Sequence, residues 1–351
     1  MTTPSSFSGS SSDSLPSSIL SQEEDFCLYS PGTTLVLKRH VPPSPCGVYY
    51  QDSAPKITLP ERVPKLKWCL THPPRPGRTN LQDTRTIVLK ETIRTGPQCG
   101  AQVLLTSDGL VAKIYDPLYY CIFDGDWRSE TINVTAHADQ DYSNEAAAYS
   151  AIQGTSIQGR CTPRYYGSWT ANVPIKVEGR EHIREVRLVL VEYIEGIQMR
   201  DLNPSELTRK ARENIMRKVI EADTDLRLAG LEHQDFEPRN IMILAPPAHS
   251  GTEQFRNSTY EDPDLGVRII DFANSLVYDL AGQARPGAGR NNPLFFWAGA
   301  DIYSEYGWLP QWEEATNWMW EMWGSGGEDG KYIKVDRDVD DYCGRPVWPG
   351  D

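Results

Sequence analysis

The spacing of apolar positions changes character along this chain. From Thr84, "TIVLKETI" alternates as a half-buried strand does, "RTGPQCGAQ" reads as a glycine-containing turn, and "VLLT" and "LVAKIYD" follow as short β-rich runs. Together they predict an antiparallel meander. "SNEAAAYSAI", residues 143 to 152, predicts a helix rich in alanine, with Ser143 or Asn144 as its cap. "EVRLVLVEYI" predicts a further strand, and the chain turns at Gly196. Beyond Gly196 the period becomes helical. Leu207, Ala211, Ile215, Val219, Ala222, Leu226 and Ala229 fall on one face, with Pro204 at the first helical position and Gly230 at the stop. "NIMIL" and "GVRIIDFANS" predict two more short strands, and the remainder reads as mainly helical. Its tryptophan-rich stretch, Phe295 to Trp323, is expected to serve as core.

A β-rich half followed by a mainly helical half predicts an α+β fold. The N-terminal part reads differently. Residues 1–23 are serine-rich and bury too little apolar surface to order themselves. Residues 24–83 are dotted with proline and read as an irregular extension leaning on the domain. The acidic run at residues 336–342 reads as solvated.

Composition narrows the function. With 39% hydrophobic and 24% charged residues the chain is that of a globular protein. Its 48 acidic against 35 basic residues leave a formal charge of −13, which argues against nucleic acid as a partner. Seven scattered cysteines, none in a Cys-x-x-Cys pair, suit a reducing compartment better than a disulfide framework or a zinc site. The first twenty residues lack the features of a secretory leader, and no apolar run is long enough for a bilayer, so the expectation is no membrane and a cytoplasmic location, with the nucleus left open.

The chemistry-bearing residues stand at the ends of the apolar runs. Lys113 lies mid-strand between apolar neighbours, Glu145 lies on the first helix, and Asp271 closes "VRII". Between them "HQDFEPRN" spaces His233, Asp235 and Asn240. Singly, each has an ordinary structural explanation: a snorkelling lysine, a solvated glutamate, a turn aspartate, a hydrogen-bonded histidine. In this order, after a glycine-containing turn, they resemble the protein kinase-like superfamily over residues 84 to about 280. The nearest likeness is to fungal kinase-like proteins with a Glu-Pro-Arg-Asn loop, akin to aminoglycoside and choline phosphotransferases.

The resemblance implies a bilobal fold, with a β-rich N-lobe at 84–195 and a mainly helical C-lobe at 196–351. It implies ATP and Mg2+ as cofactors, and a small-molecule or atypical protein substrate as phosphoryl acceptor. Asp235, Lys113 and His233 would form the catalytic group, with Asp235 as base and His233 as a brace. Gly96, Gly100, Val103, Lys113, Glu145, Glu192 and Ile194 would hold the nucleotide, and Asn240 and Asp271 the metal. The match has departures. Ala101 replaces the last glycine of the turn, Ala273 follows Asp-Phe, Glu237 stands where a phosphate-binding lysine is usual, and no Ala-Pro-Glu motif follows. These departures motivate the alternative of a pseudokinase that binds nucleotide or acts as a scaffold.

Overall fold

The computed structural model describes residues 27–50, 63–121, 133–244, 258–297, 306–310, 312–328 and 330–337. The serine-rich tail and most of the acidic run at 336–342 lie outside the described residues. Six strands close into an antiparallel barrel: β1 (Thr34–Val41), β2 (Arg78–Arg94), β3 (Gln102–Thr106), β4 (Leu110–Tyr115), β5 (Tyr165–Val177) and β6 (Arg180–Glu192), in the order β1-β2-β3-β4-β6-β5. Alternation does the work here. Leu37, Leu89, Leu104, Ala112, Ile114, Leu188 and Leu190 are fully buried and line the barrel. Register confirms the parity, because Ala112 pairs with both Leu104 and Leu190, and Ile114 with Leu188.

The opposite face of β4 and β6 is covered by helix α2 (Val134–Ala151), which follows the shorter α1 (Lys65–Thr71). Asn133 caps α2 by accepting the Ala136 N–H, and the same oxygen accepts the Trp68 indole N–H at 3.2 Å, tying α1 to the start of α2. Helix α2 therefore begins nine residues before the stretch whose composition marked it. Ser143 and Asn144 are buried within it rather than capping it, and the Asn144 side chain accepts the Cys46 N–H.

Past Glu192 the chain enters β7 (Ile197–Gln198), then α3 (Arg209–Leu228), β8 (Leu231–Glu232), β9 (Ile241–Leu244), β10 (Gly266–Ile269), β11 (Leu276–Val277) and α4 (Trp312–Trp323). Gly196 is required at the entry, since a Cβ there would lie 2.5 Å from the Ile243 carbonyl oxygen. Helix α3 buries Ala211, Ile215, Val219, Ala222 and Leu226, the face its period marked. It starts at Arg209 under a Thr208 cap; Pro204 instead heads a separate 3-10 turn. Strands β10, β9 and β7 form one sheet and β11 pairs with β8. Mixed helices and antiparallel sheets make this an α+β fold. In the C-terminal part, α4 is the one helix of more than a turn among the described residues after Asp271, and Trp297, Trp308, Trp318 and Trp323 are buried as core.

One expectation is corrected. Thr34–Val41, inside the stretch read as irregular, is a barrel strand that pairs with β2 on one side and β5 on the other. Its alternation (Leu35 and Leu37 buried, Val36 exposed) is that of a strand, but flanking prolines obscured it.

Candidate active site

Three elements converge on one ammonium. Lys113 of β4 lies across from Val103 of β3, and Val103 lies across from Arg94 of β2, so the three share the face turned away from the barrel interior. Lys113 Nζ reaches Glu145 Oε2 of α2 at 2.5 Å and Asp271 Oδ1, just past β10, at 2.5 Å. Tyr115 donates its hydroxyl to the same Glu145 oxygen. Burial alone would push the Lys113 ammonium down, but Asp271 and Glu145 together hold it above its usual value. Burial would likewise raise Asp271, yet Lys113 outweighs it and holds the carboxyl down at about 2. Burial, with Asp271 nearby, holds the Glu145 carboxyl above its usual value, and the Lys113 and Tyr115 donors offset only part of that rise.

Asp271 adopts a left-handed backbone, φ 66°. Aspartate tolerates that region better than most residues, and its appearance at a strand exit turns the carboxylate to Lys113. Gln234, between His233 and Asp235, is also left-handed at φ 59°. The loop it shapes is held at several points. His233 Nε2 donates to the Ile270 carbonyl at 2.9 Å, the Ile270 N–H donates to the Asn240 carbonyl, and Gln198 Nε2 donates to the Arg239 carbonyl. His233 is fully buried and burial lowers its pKa, so it is a neutral brace between the loop and the strand that carries Asp271. Within the loop Asn240 Nδ2 donates to the Asp235 carbonyl at 2.8 Å and to Asp235 Oδ2 at 3.0 Å. Arg239 Nη2 takes the other carboxylate oxygen, Oδ1, at 2.5 Å.

The glycine-containing turn is built on one glutamine. Gln102 accepts the Gly96 N–H and donates to the carbonyls of Gly96 and Gly100, and Gly96 and Gly100 take φ values of 129° and 66° that favour glycine. At the end of β6 the Glu192 N–H is spent on the Arg164 carbonyl and its carboxylate accepts the Arg164 N–H.

Two features escaped the sequence. Arg94 Nη2 stands 3.8 Å from Asp271 Oδ2, because a bulge between Thr92 and Arg94 rotates it onto the Lys113 face. No sequence pattern marks that bulge. Beside the loop lies a cleft of about 380 Å³ whose walls include Arg200, Glu237, Pro238, Arg239, Tyr306 and Trp308. Arg200 and Tyr306 lie 35 residues before and 71 after Asp235, so only folding reveals their grouping.

No family model matches the chain, and no curated protein matches it. Among solved structures it is similar to one described as "WaaP in complex with acyl carrier protein", with a TM-score of 0.32 and 14% identity over 56% of this chain. The match spans 65% of that protein's chain.

Proposed function

We propose that this chain is a magnesium-dependent phosphotransferase of the protein kinase-like type, which moves the γ-phosphoryl group of ATP to a hydroxyl of a small-molecule or atypical protein substrate. The observation that carries the reading is the Lys113 ammonium held 2.5 Å from both Glu145 and Asp271, with the Asp235–Asn240 loop braced to the same strand exit through His233. A lysine so placed, between a helix carboxylate and a second carboxylate, is prepared for polyphosphate oxygens. The barrel and α2 act as the first lobe of a bilobal molecule, and the part from Gly196 as the second.

In this reading ATP lies along the face that carries Arg94, Val103 and Lys113. Glu192 offers its carbonyl and Ile194 its N–H to the adenine. Lys113 pairs with the α- and β-phosphates. Asp271, ionised down to about pH 2, and Asn240, whose amide donates through Nδ2 and keeps Oδ1 as an acceptor, are hard oxygen donors that fit a magnesium ion. Magnesium held there would neutralise charge on the phosphate oxygens. The acceptor hydroxyl gives its proton to Asp235 as its oxygen bonds to the γ-phosphorus. The bond from that phosphorus to the β–γ bridging oxygen breaks, and ADP leaves.

A second reading, a pseudokinase that binds nucleotide or acts as a scaffold without turnover, is favoured by Arg239 closing on Asp235. Phosphoryl transfer requires nucleotide and a scaffold does not, so binding is tested first. Millimolar Mg-ATP is expected to raise the melting temperature of the wild type but not of Lys113→Met. No rise in the wild type would remove the phosphotransferase reading and favour a scaffold, and an equal rise in the two proteins would show that Lys113 does not hold the nucleotide.

A further inference from the structure

The guanidinium that closes on Asp235 also forms part of a cleft wall. Arg239 Nη2 lies 2.5 Å from Asp235 Oδ1, and the same side chain lines the cleft of about 380 Å³ together with Arg200. Asn240 takes the remaining Asp235 oxygen, so the carboxylate has a donor on each side. While Arg239 stays there, an incoming hydroxyl meets a base already satisfied by a cation. The main chain beneath Arg239 is fixed by the Gln198 amide on its carbonyl. The side chain is about half exposed. Motion is thus confined to the side chain, which can turn from Asp235 to the cleft without disturbing the loop.

The cleft has a distinct chemistry in a protein of charge −13. Among the described residues that line it, two arginines stand with one carboxylate residue, Glu237, which is 4.0 Å from Arg239. Among the described residues, the ion pair of Arg200 is an exposed, loose contact at 3.7 Å with its neighbour Asp201. Tyr306, half exposed, and Trp308, buried, add aromatic surface. Arginine's planar fork suits carboxylate and phosphate oxygens, and the volume suits a small molecule.

We propose that this cleft is the acceptor site and that it selects a small hydroxyl compound carrying an anionic group, a carboxylate or a phosphate, whose arrival draws Arg239 away from Asp235. The inference rests on the phosphotransferase reading for the identity of the transferred group, but the anion site itself does not. Substrate binding and release of the base are then one event. The anion takes the arginine, Asp235 regains an open oxygen, and that oxygen accepts the hydroxyl proton as the new O–P bond forms and the bond to ADP breaks. Without an anion the base stays closed, which limits transfer to water.

The test separates binding from turnover. Ligand-observed NMR on the full chain, without nucleotide, compares glycerol 3-phosphate, glycerate and neutral glycerol. One or both anions are expected to bind while glycerol does not, and the stronger of the two identifies phosphate or carboxylate as the recognised group. Arg200→Ala, a change at an exposed side chain, is expected to weaken that binding at least tenfold, with Arg200→Lys recovering only part of it. Arg239→Ala is expected to weaken it similarly and, in a separate assay, to raise the slow hydrolysis of Mg-ATP by water severalfold, since Asp235 is no longer closed. Failure of both anions to bind, or binding that neither substitution changes, would overturn the proposal. Anion binding in a protein that never turns over ATP would uphold the anion site while sinking the phosphotransferase reading.

Discussion

At the scale of single residues, charge balance is the main property of the site. Lys113 serves two carboxylates, and the consequence for Asp271 has a definite sign. Its folded-state pKa of about 2 lies below the value of about 3.9 expected for an unfolded aspartate. The folded state therefore binds that proton less readily than the unfolded state. The stabilisation is fully present above about pH 4 and is lost as pH falls through 4 toward 2. Urea unfolding of wild type and Asp271→Asn should show a stability difference that is constant above pH 4 and closes toward pH 2. A difference that persists at pH 2 would assign Asp271 some role other than partner to Lys113. Arg94 belongs to this scale too. Arg94→Ala is expected to raise the KM for ATP several-fold with a smaller effect on kcat, because the residue reaches Asp271 from the rim and stands about half exposed.

At the scale of elements, the sequence was legible wherever one face met one environment. The alternation of β3 and the helical period of α3 survive intact in the fold, because each has one buried face and one other, whereas β4 is buried on both faces from Ala112 to Tyr115. Helix α2 was half hidden for the opposite reason. It buries Val134, Ala138, Asp139, Tyr142, Asn144, Glu145 and Tyr149, a set that mixes apolar and polar side chains and leaves no clean stripe. Its true start depends on Asn133, whose cap is shared with a tryptophan from a distant helix. The positions that became the candidate site were found through their resemblance to a known order of motifs. Arg94 and Arg200 were not, because a strand bulge and a tertiary cleft leave no trace in residue order.

At the scale of the whole molecule, the barrel decides how the site is held. Strand β1 closes it between β2 and β5, and Tyr29, just before β1, donates its hydroxyl to Asp116, which also takes both terminal nitrogens of the buried Arg184. The region read from sequence as an extension therefore contributes a structural strand. A chain shortened to begin at residue 27 keeps those contacts and is expected to melt within a few degrees of the full chain. One begun at residue 42 exposes the edges of β2 and β5 and is expected to aggregate or lose cooperative unfolding by circular dichroism. Equal melting of the two would show that the barrel does not need β1. Among the described residues no helix is long and apolar enough to cross a membrane.

In the proposed function Asp235, beside the Lys113–Glu145–Asp271 cluster, takes a proton during phosphoryl transfer from ATP. The most direct measurement is the rate of ADP formation from Mg-ATP, with a carboxylate- or phosphate-bearing hydroxyl acceptor, for wild type and Asp235→Asn. The wild type is expected to turn over and the variant to lose at least about a hundredfold in kcat, with the KM for ATP changed by less than about threefold. Equal turnover by the two proteins would contradict that role for Asp235.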